Sequence, residues 1–463
     1  MKSQIFTYNL PDIPTLLAVS SFLYLINVAE AIFDRILKAG LLGSLVVGII
    51  YGPEVADILP GDVLQALLIL GYIGLILSVF EAGLSTDISL LYSNIAISIL
   101  VGGTGMLLPI AFSIILIHFG FGYSLLQGFA AGASLSSTSL GTTLALLNPE
   151  LRQSRTGVIL LSAALFDDVF GLIIAAIIQT FSSSPTGSIP WQAFVRPILV
   201  SVAFAFFTGI LAWAIQHIIK RIPDKWRRFA YQANTQLLFL VAVISGFVAG
   251  ANYAGTSELF GAYLAGVLLS QIFHTPFENV QSTETVESRV TPVANSTAMV
   301  SPQFAFAIFI QPVLAHVFSP IFFATIGAAL PIRSLAKVDG SSRVVWRGFV
   351  YALLMAVAKF LTGIWLLVPF RTLMKAFRQV FRKRNQSSDE NLTTSRPSSA
   401  ILLGLAMIAR GEIALIVSQL SRSLLTEVSQ ELYAIVIWAI LLDTVGGALG
   451  VGITLRRDAK LFT

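Results

Sequence analysis

Cysteine is absent from the 463 residues, which excludes disulfides, thiol chemistry and cysteine-based metal sites and leaves the redox compartment open. Charge is scarce too. Asp, Glu, Lys and Arg make up 11% of the chain, against about 25% in soluble globular proteins. So few charges cannot build an ordinary water-exposed surface, which excludes a soluble enzyme, a disordered chain and a secreted module. The four histidines (His118, His217, His274 and His316) form no metal-ligand spacing. Gly102-Gly103-Thr104-Gly105 lacks the lysine and strand context of a phosphate loop and reads as helix packing.

What remains is apolar: 56% of residues are hydrophobic. At about 20 apolar residues per crossing, the length allows a dozen or so membrane-spanning helices. The expected fold is an all-α polytopic membrane protein. Its net charge of +5 needs no nucleic acid, because short cytoplasmic loops are rich in Lys and Arg. Only Lys2 precedes the first apolar stretch, which reads as a span and not as a cleaved signal peptide.

Apolar runs between Pro, Gly and charge clusters predict thirteen helices. They lie at 16–36, 39–52, 64–84, 93–118, 124–147, 157–180, 194–219, 234–251, 256–273, 312–332, 345–369, 399–420 and 430–454. An odd number puts the termini on opposite sides. With the N-terminus outside and the C-terminus cytoplasmic, twenty of the 29 basic residues fall inward, as the positive-inside rule requires. The cluster from Arg333 to Arg347 runs against the trend. The sequons at Asn295, Asn385 and Asn391 then lie inside and are read as chance. Two loops are long: 274–311, with Glu278, Glu284 and Glu287, and the basic 370–398. They read as solvated linkers, with mutual regulatory docking as the alternative. No C-terminal soluble domain is expected after the last helix.

Three segments recur in order. Thr104-Gly105-Met106-Leu107-Leu108-Pro109 resembles Thr362-Gly363-Ile364-Trp365-Leu366-Leu367-Val368-Pro369. Ser137-Thr138-Ser139 sits one helix later, as does Ala409-Arg410-Gly411-Glu412 in the second half. Leu165-Phe166-Asp167-Asp168-Val169-Phe170-Gly171 then matches Leu441-Leu442-Asp443-Thr444-Val445-Gly446-Gly447. The fourth to sixth spans are thus repeated as the eleventh to thirteenth. Seven intervening steps invert the second copy, the pattern of secondary transporters whose site lies at midplane between broken helices.

Charges inside apolar spans are costly and usually functional. Asp167 and Asp168 are adjacent, so their side chains point about 100° apart and can serve different partners. A hard monovalent cation such as Na⁺ takes oxygen ligands, and a carboxylate supplies both charge and coordination. Lys359, within Ala356-Val357-Ala358-Lys359-Phe360-Leu361, lies too deep to snorkel and needs an acid. Asp167 and Asp168 are the candidates, and a structural salt bridge and a proton-linked switch look alike in sequence. Ser136 to Thr143 is too polar for a lipid-facing helix and marks a break where freed carbonyls bind ions, with small-residue packing as the alternative. Arg410-Gly411-Glu412 is its counterpart, where Arg410 and Glu412 compensate exposed helix dipoles as structural residues. Glu30, Asp34 and Glu81 receive no role.

Ala164-Leu165-Phe166-Asp167-Asp168, Ser137-Thr138-Ser139-Leu140-Gly141, Lys359 and Ala409-Arg410-Gly411-Glu412 together resemble the monovalent cation/proton antiporter superfamily, the sodium/proton exchangers with an Asp-Asp motif. Gly40 to Gly43, Gly52-Pro53 and Gly83-Leu84-Ser85-Thr86-Asp87 also fit, and the resemblance spans about 16–454. It implies crossed broken helices in a core domain, 93–180 and 345–454, moving against scaffold or dimerisation helices at 1–92 and 194–332. It further implies that Asp168 carries the cation and the proton, that Asp167 pairs with Lys359, and that Thr138 and Ser139 line the site. A homodimer in the lipid bilayer is implied, with no enzyme activity and no cofactor besides the transported Na⁺ and H⁺. The Asp-Asp pair resembles the electrogenic branch. The 274–311 insertion is longer than in bacterial members. The lack of a nucleotide-binding tail argues against a ligand-gated potassium-efflux system.

Exchange would follow from competition between cation and proton at Asp168; Na⁺, Li⁺ and K⁺ are not distinguished. Three rivals stand beside it. A sodium-coupled organic-anion symporter would share the architecture, although two acids and a lysine suit cations better. An intramembrane aspartyl protease would pair Asp168 with Asp443, but lacks the Gly-x-Gly-Asp context. A passive channel would conduct without proton coupling.

Overall fold

A computed structural model describes residues 10, 12–37, 39–86, 95–138, 155–182, 192–219, 221, 232–273, 301–338, 340–367, 397–427 and 429–458. These residues are nearly all helical; among them there is no β-strand, only a single bridge between Val338 and Ser341. The first half contains α1 (Ile13–Leu37), α2 (Leu41–Tyr51), α3 (Gly61–Leu84), α4 (Ile95–Ser113), α5 (Leu125–Ser134), α6 (Arg155–Ser182), α7 (Gln192–Ile219) and α8 (Ala233–Ala254). The second contains α9 (Glu258–Ile272), α10 (Pro302–Phe309), α11 (Ser319–Ala328), α12 (Arg343–Phe360), α13 (Pro397–Ala406), α14 (Glu412–Leu420) and α15 (Glu431–Asp458). π-helical turns extend α4 over Ile114–Gly120 and precede α11 over Leu314–Phe318, and a 3₁₀ stretch extends α12 over Leu361–Leu366.

Each of the thirteen expected segments contains helix, but the count of thirteen crossings is not established. Nine helices among the described residues are long and apolar enough to cross a bilayer. At 11 and 15 residues, α2 and α9 are short for a hydrocarbon core of about 30 Å. In the expected 124–147 span α5 ends at Ser134, and 139–147 lie outside the described residues; the 399–420 span is interrupted after Ala406. The expected loop 274–311 needs correction at its end, because α10 lies within it. Ser301 accepts from the Phe304 amide and Pro302 opens the helix, a start signal that apolar content alone overlooked. Residues 274–300 and the 370–396 part of the basic loop lie outside the described residues.

The helices pack in two groups. In one, α1 lies on α2, α2 on α11, and α3 on both α11 and α9, with α8 and α7 also against α9. In the other, α4 packs on α5, α6 and α12, α12 on α15, α13 on α15, and α14 on α5 and α6. The groups meet where α6 packs on α7 and α9. In lipid the bundle gains little from hydrophobicity between helices, so close backbone approach through small residues carries the packing. A side chain at Gly48 would overlap the Ala324 carbonyl, and one at Gly83 would overlap the carbonyl of Tyr263.

Gly83→Leu is therefore expected to abolish recovery of monodisperse protein, since the obstructing atom is backbone. Gly103→Ala, whose added carbon meets nothing within 4 Å, should leave elution and melting temperature unchanged. Size-exclusion profiles in detergent check both, and a stable Gly83→Leu protein would refute the α3–α9 contact.

Candidate functional site

The polar run after α5 ends the helix by its own chemistry. Ser134 donates to the Ala130 carbonyl at 2.9 Å and Ser136 to that of Ala133 at 2.8 Å, so hydroxyls compete with the backbone where the helix would continue. A capping box fixes the other end of α5. Ser124 accepts from the Gln127 amide at 3.1 Å, and the Gln127 side chain accepts from the Ser124 amide at 3.0 Å. The second break, Met407 to Gly411, separates α13 from α14, with Gly411 in extended conformation.

The two breaks satisfy one another. Buried carbonyls freed from a helix need new donors. The Ser137 carbonyl accepts from Arg410 Nη1 at 3.1 Å, and the Met407 carbonyl lies 3.3 Å from the Thr138 hydroxyl. The Arg410 carbonyl accepts from Thr444 at 3.3 Å. Arg410 is fully buried, and its Nε and Nη2 donate to Asp443 Oδ2 at 3.3 and 3.2 Å. Arg410 thus ties a carbonyl of the first break to a carboxylate of α15. The protease pairing of Asp168 with Asp443 does not fit, since Asp443 is engaged by Arg410.

Beside the first break, Lys359 meets Asp167. Its Nζ lies 2.5 Å from Asp167 Oδ2 and 2.8 Å from the Thr138 hydroxyl, which in turn donates to Asp167 Oδ2 at 2.7 Å. All three residues are buried. Asp167 Oδ1 is buried with no hydrogen-bond donor among the described residues. Asp168, one residue on, turns toward a different set of atoms: the Ser137 hydroxyl donates to its Oδ1 at 3.5 Å. At 8% exposure against 2% for Asp167, Asp168 is the more accessible carboxylate.

The structure thus brings together Asp167, Asp168, Thr138, Lys359 and Arg410. Ser139 lies outside the described residues. Glu412 opens α14, and its side chain also lies outside them. Sequence reasoning treated Asp443 only as a repeat echo and as half of a rival. Charge accounting would have found it, because buried Arg410 needs an acid as much as Lys359 does. The Ser137 and Met407 carbonyls carry no sequence signal beyond the breaks themselves. Three carboxylates (Asp167, Asp168, Asp443) and two bases (Lys359, Arg410) give this buried cluster a formal charge of −1, complementary to one monovalent cation. Among the described residues no group of three His, Asp or Glu side chains could hold a metal ion.

Lys359→Ala would leave Asp167 buried without its ammonium and should lower stability by about 3–5 kcal/mol. Combining Lys359→Met with Asp167→Asn should recover most of the loss, since both charges are then gone. Thermal unfolding of the purified protein reads this. An unchanged melting temperature in Lys359→Ala would remove the pair's structural role.

Comparison with known proteins bears on the family and the fold. Over 418 residues, 27% identity relates the chain to the Na⁺/H⁺-K⁺ antiporter GerN of Bacillus cereus, covering 89% of this chain and 88% of GerN. The probable Na⁺/H⁺ antiporter GerT of the same organism is 26% identical over 400 residues, or 85% and 86% of the two chains. The fold matches the sodium proton antiporter MjNhaP1 of Methanocaldococcus jannaschii with a TM-score of 0.61, at 14% identity, over 95% of this chain and 99% of that one. The family model of the transmembrane sodium/hydrogen exchangers matches residues 18–457, and the chain belongs to that family.

Proposed function

We propose that the protein is a secondary active transporter that exchanges a monovalent cation for protons by alternating access. The observation that carries this reading is the buried cluster at the two helix breaks. Its formal charge of −1 leaves Asp168, the less deeply buried of the adjacent pair, beside the Ser137 hydroxyl, with Asp167 already committed to Lys359. A cation and a proton both neutralise Asp168 and compete for its oxygens, so proton entry expels the cation and cation entry expels the proton. If the core crosses only when Asp168 is neutralised, exchange follows without covalent chemistry. A cluster with excess negative charge disfavours an anion, which counts against the organic-anion symporter.

Na⁺ is the first choice of cargo, with Li⁺ and K⁺ as alternatives. The names of the relatives support it: GerT is called a probable Na⁺/H⁺ antiporter, and GerN adds K⁺. Thr138 and Ser139 line the site with Asp168, Lys359 is the charge partner, and Arg410 and Glu412 stabilise the second break. The core comprises 93–180 and 345–454 and moves against helices within 1–92 and 194–332; the two packing groups support this division. The adjacent Asp167 and Asp168 favour an electrogenic exchange, in which the Asp167–Lys359 pair gives up a second proton when a cation binds at Asp168. The N-terminus lies outside, the C-terminus is cytoplasmic, and the working unit is a homodimer.

In proteoliposomes holding a pH gradient, added Na⁺, Li⁺ or K⁺ should collapse the gradient, and the ranking of ions gives selectivity. Asp168→Asn should abolish that response while the protein stays folded and monodisperse. Wild-type exchange in Asp168→Asn would sink the assignment of Asp168 as the carrier.

A further inference from the structure

The sequence repeat pairs Gly171 of α6 with Gly447 of α15, and each lies against a helix break. A side-chain carbon at Gly447 would stand 2.5 Å from the Ala409 nitrogen and 2.8 Å from its Cα. Backbone cannot step aside, so the second break is locked onto α15. At Gly171 the corresponding carbon would lie 3.4 Å from Ser137 Cβ and 3.6 Å from its hydroxyl oxygen, both ordinary contact distances. Its closest neighbour would be Ile413 Cγ2 at 3.0 Å, the end of a flexible side chain in the first turn of α14. The first break therefore rests on α6 with room that the second one lacks.

Gly171 stands three residues after Asp168, so the two share a face of α6, and Ser137 is close to both. The Ser137 hydroxyl lies 3.5 Å from Asp168 Oδ1, beyond the about 2.5–3.0 Å of a good O–H···O bond. Ca²⁺, which Na⁺ matches in size, holds its oxygens at about 2.3–2.6 Å, and two such oxygens at right angles stand about 3.3–3.7 Å apart. The serine and carboxylate oxygens are thus spaced as neighbouring ligands of a cation of that size. K⁺ is larger and takes oxygens set further apart, a difference that a site of fixed width can read. Two contacts hold the width here. The Ser137 carbonyl is tied to Arg410 at 3.1 Å, and its Cβ rides over the bare backbone of Gly171.

We infer that Gly171 is a specificity-determining residue: by letting Ser137 settle onto α6 it fixes the separation of the Ser137 hydroxyl from Asp168, and so favours Na⁺ over K⁺. This rests on the antiport reading and deepens it, because it names the feature that sorts the cargo by size. Bulk added at position 171 lifts Ser137 off α6 and widens the spacing. Gly171 itself carries none of the exchanged charge.

The test measures Na⁺-driven and K⁺-driven proton flux in proteoliposomes, with melting temperature in parallel. It compares the full-length protein with Gly171→Ala, Gly171→Val, Ser137→Ala and the Gly171→Ala, Ser137→Ala double variant. The ratio of the KM for K⁺ to that for Na⁺ should exceed one in the unaltered protein. It should fall about twofold to threefold in Gly171→Ala and about tenfold in Gly171→Val, the scale of one weakened hydroxyl contact. Maximal rates should stay within about twofold. Once Ser137→Ala has removed the hydroxyl, Gly171→Ala should no longer move the ratio. If K⁺ drives no flux in the unaltered protein, its gain in Gly171→Val supports the proposal, and its continued absence with an unchanged KM for Na⁺ overturns it. A preference for K⁺ in the unaltered protein overturns the proposal, as does an unchanged ratio in both Gly171 variants. Equal rises in both KM values with a lower melting temperature mark a packing glycine and overturn it too. Should Gly171→Val not fold, Gly171→Ala carries the test; failure of both to fold would show the first break as tightly locked as the second, against the proposal. Absence of flux with every cation in the unaltered protein overturns the antiport reading and this inference with it, whereas flux with an unchanged ratio overturns this inference alone.

Discussion

An ammonium group in the middle of an apolar helix has to find a carboxylate, and Asp167 meets Lys359 at 2.5 Å. The surrounding arrangement follows from that constraint. Thr138 joins the pair because its hydroxyl accepts from Lys359 and donates to Asp167. To place Thr138 there, the chain has to leave α5 four residues earlier. Once it does, the Ser137 carbonyl is stranded in the interior and Arg410 comes to it from the second break. Arg410 then needs its own counter-charge, which Asp443 supplies. A single ion pair thus propagates through two helix interruptions to a second ion pair.

Each break alone would bury unsatisfied backbone at high cost, but set against one another they exchange donors and acceptors. The same reciprocity makes the cluster a coherent electrostatic unit, in which three carboxylates share two bases. Asp168 sits beside that network with the Ser137 hydroxyl on its Oδ1, on a helix that also packs against α9 of the other group. The opposite wall is built differently. α3 and α9 touch backbone to backbone through Gly83, and Gly266 likewise brings α9 against Phe80. A wall of that kind cannot repack by side-chain rotation.

Much of this could be read from residue types. The DD pair, the lone intramembrane Lys359, the Ser-Thr run and Arg410-Gly411-Glu412 each violate the apolar pattern around them, and such violations persist only where something compensates them. Asp443 was harder to see, since one acid in α15 has no meaning until Arg410 is known to point at it. Helix α10 was missed because apolar periodicity was weighed above the Ser301-Pro302 start signal. The count of thirteen crossings stays unestablished for a related reason, as α2 and α9 fall short of a full span while keeping its composition.

Composition alone was enough to make this chain a helical membrane protein, because 11% charged residues cannot coat a soluble surface and a bilayer admits only backbones that bond internally. The placement of charge in that apolar background likewise marked where the site must lie. Which acid pairs with which base was a matter of folding: Asp167 and Asp168 are equivalent in sequence, and the helical turn of about 100° between them sends one to Lys359 and the other to the Ser137 hydroxyl. The donors that close the two breaks were also set in three dimensions, since a freed carbonyl bonds to whatever the packing brings within about 3 Å, whatever its distance along the chain.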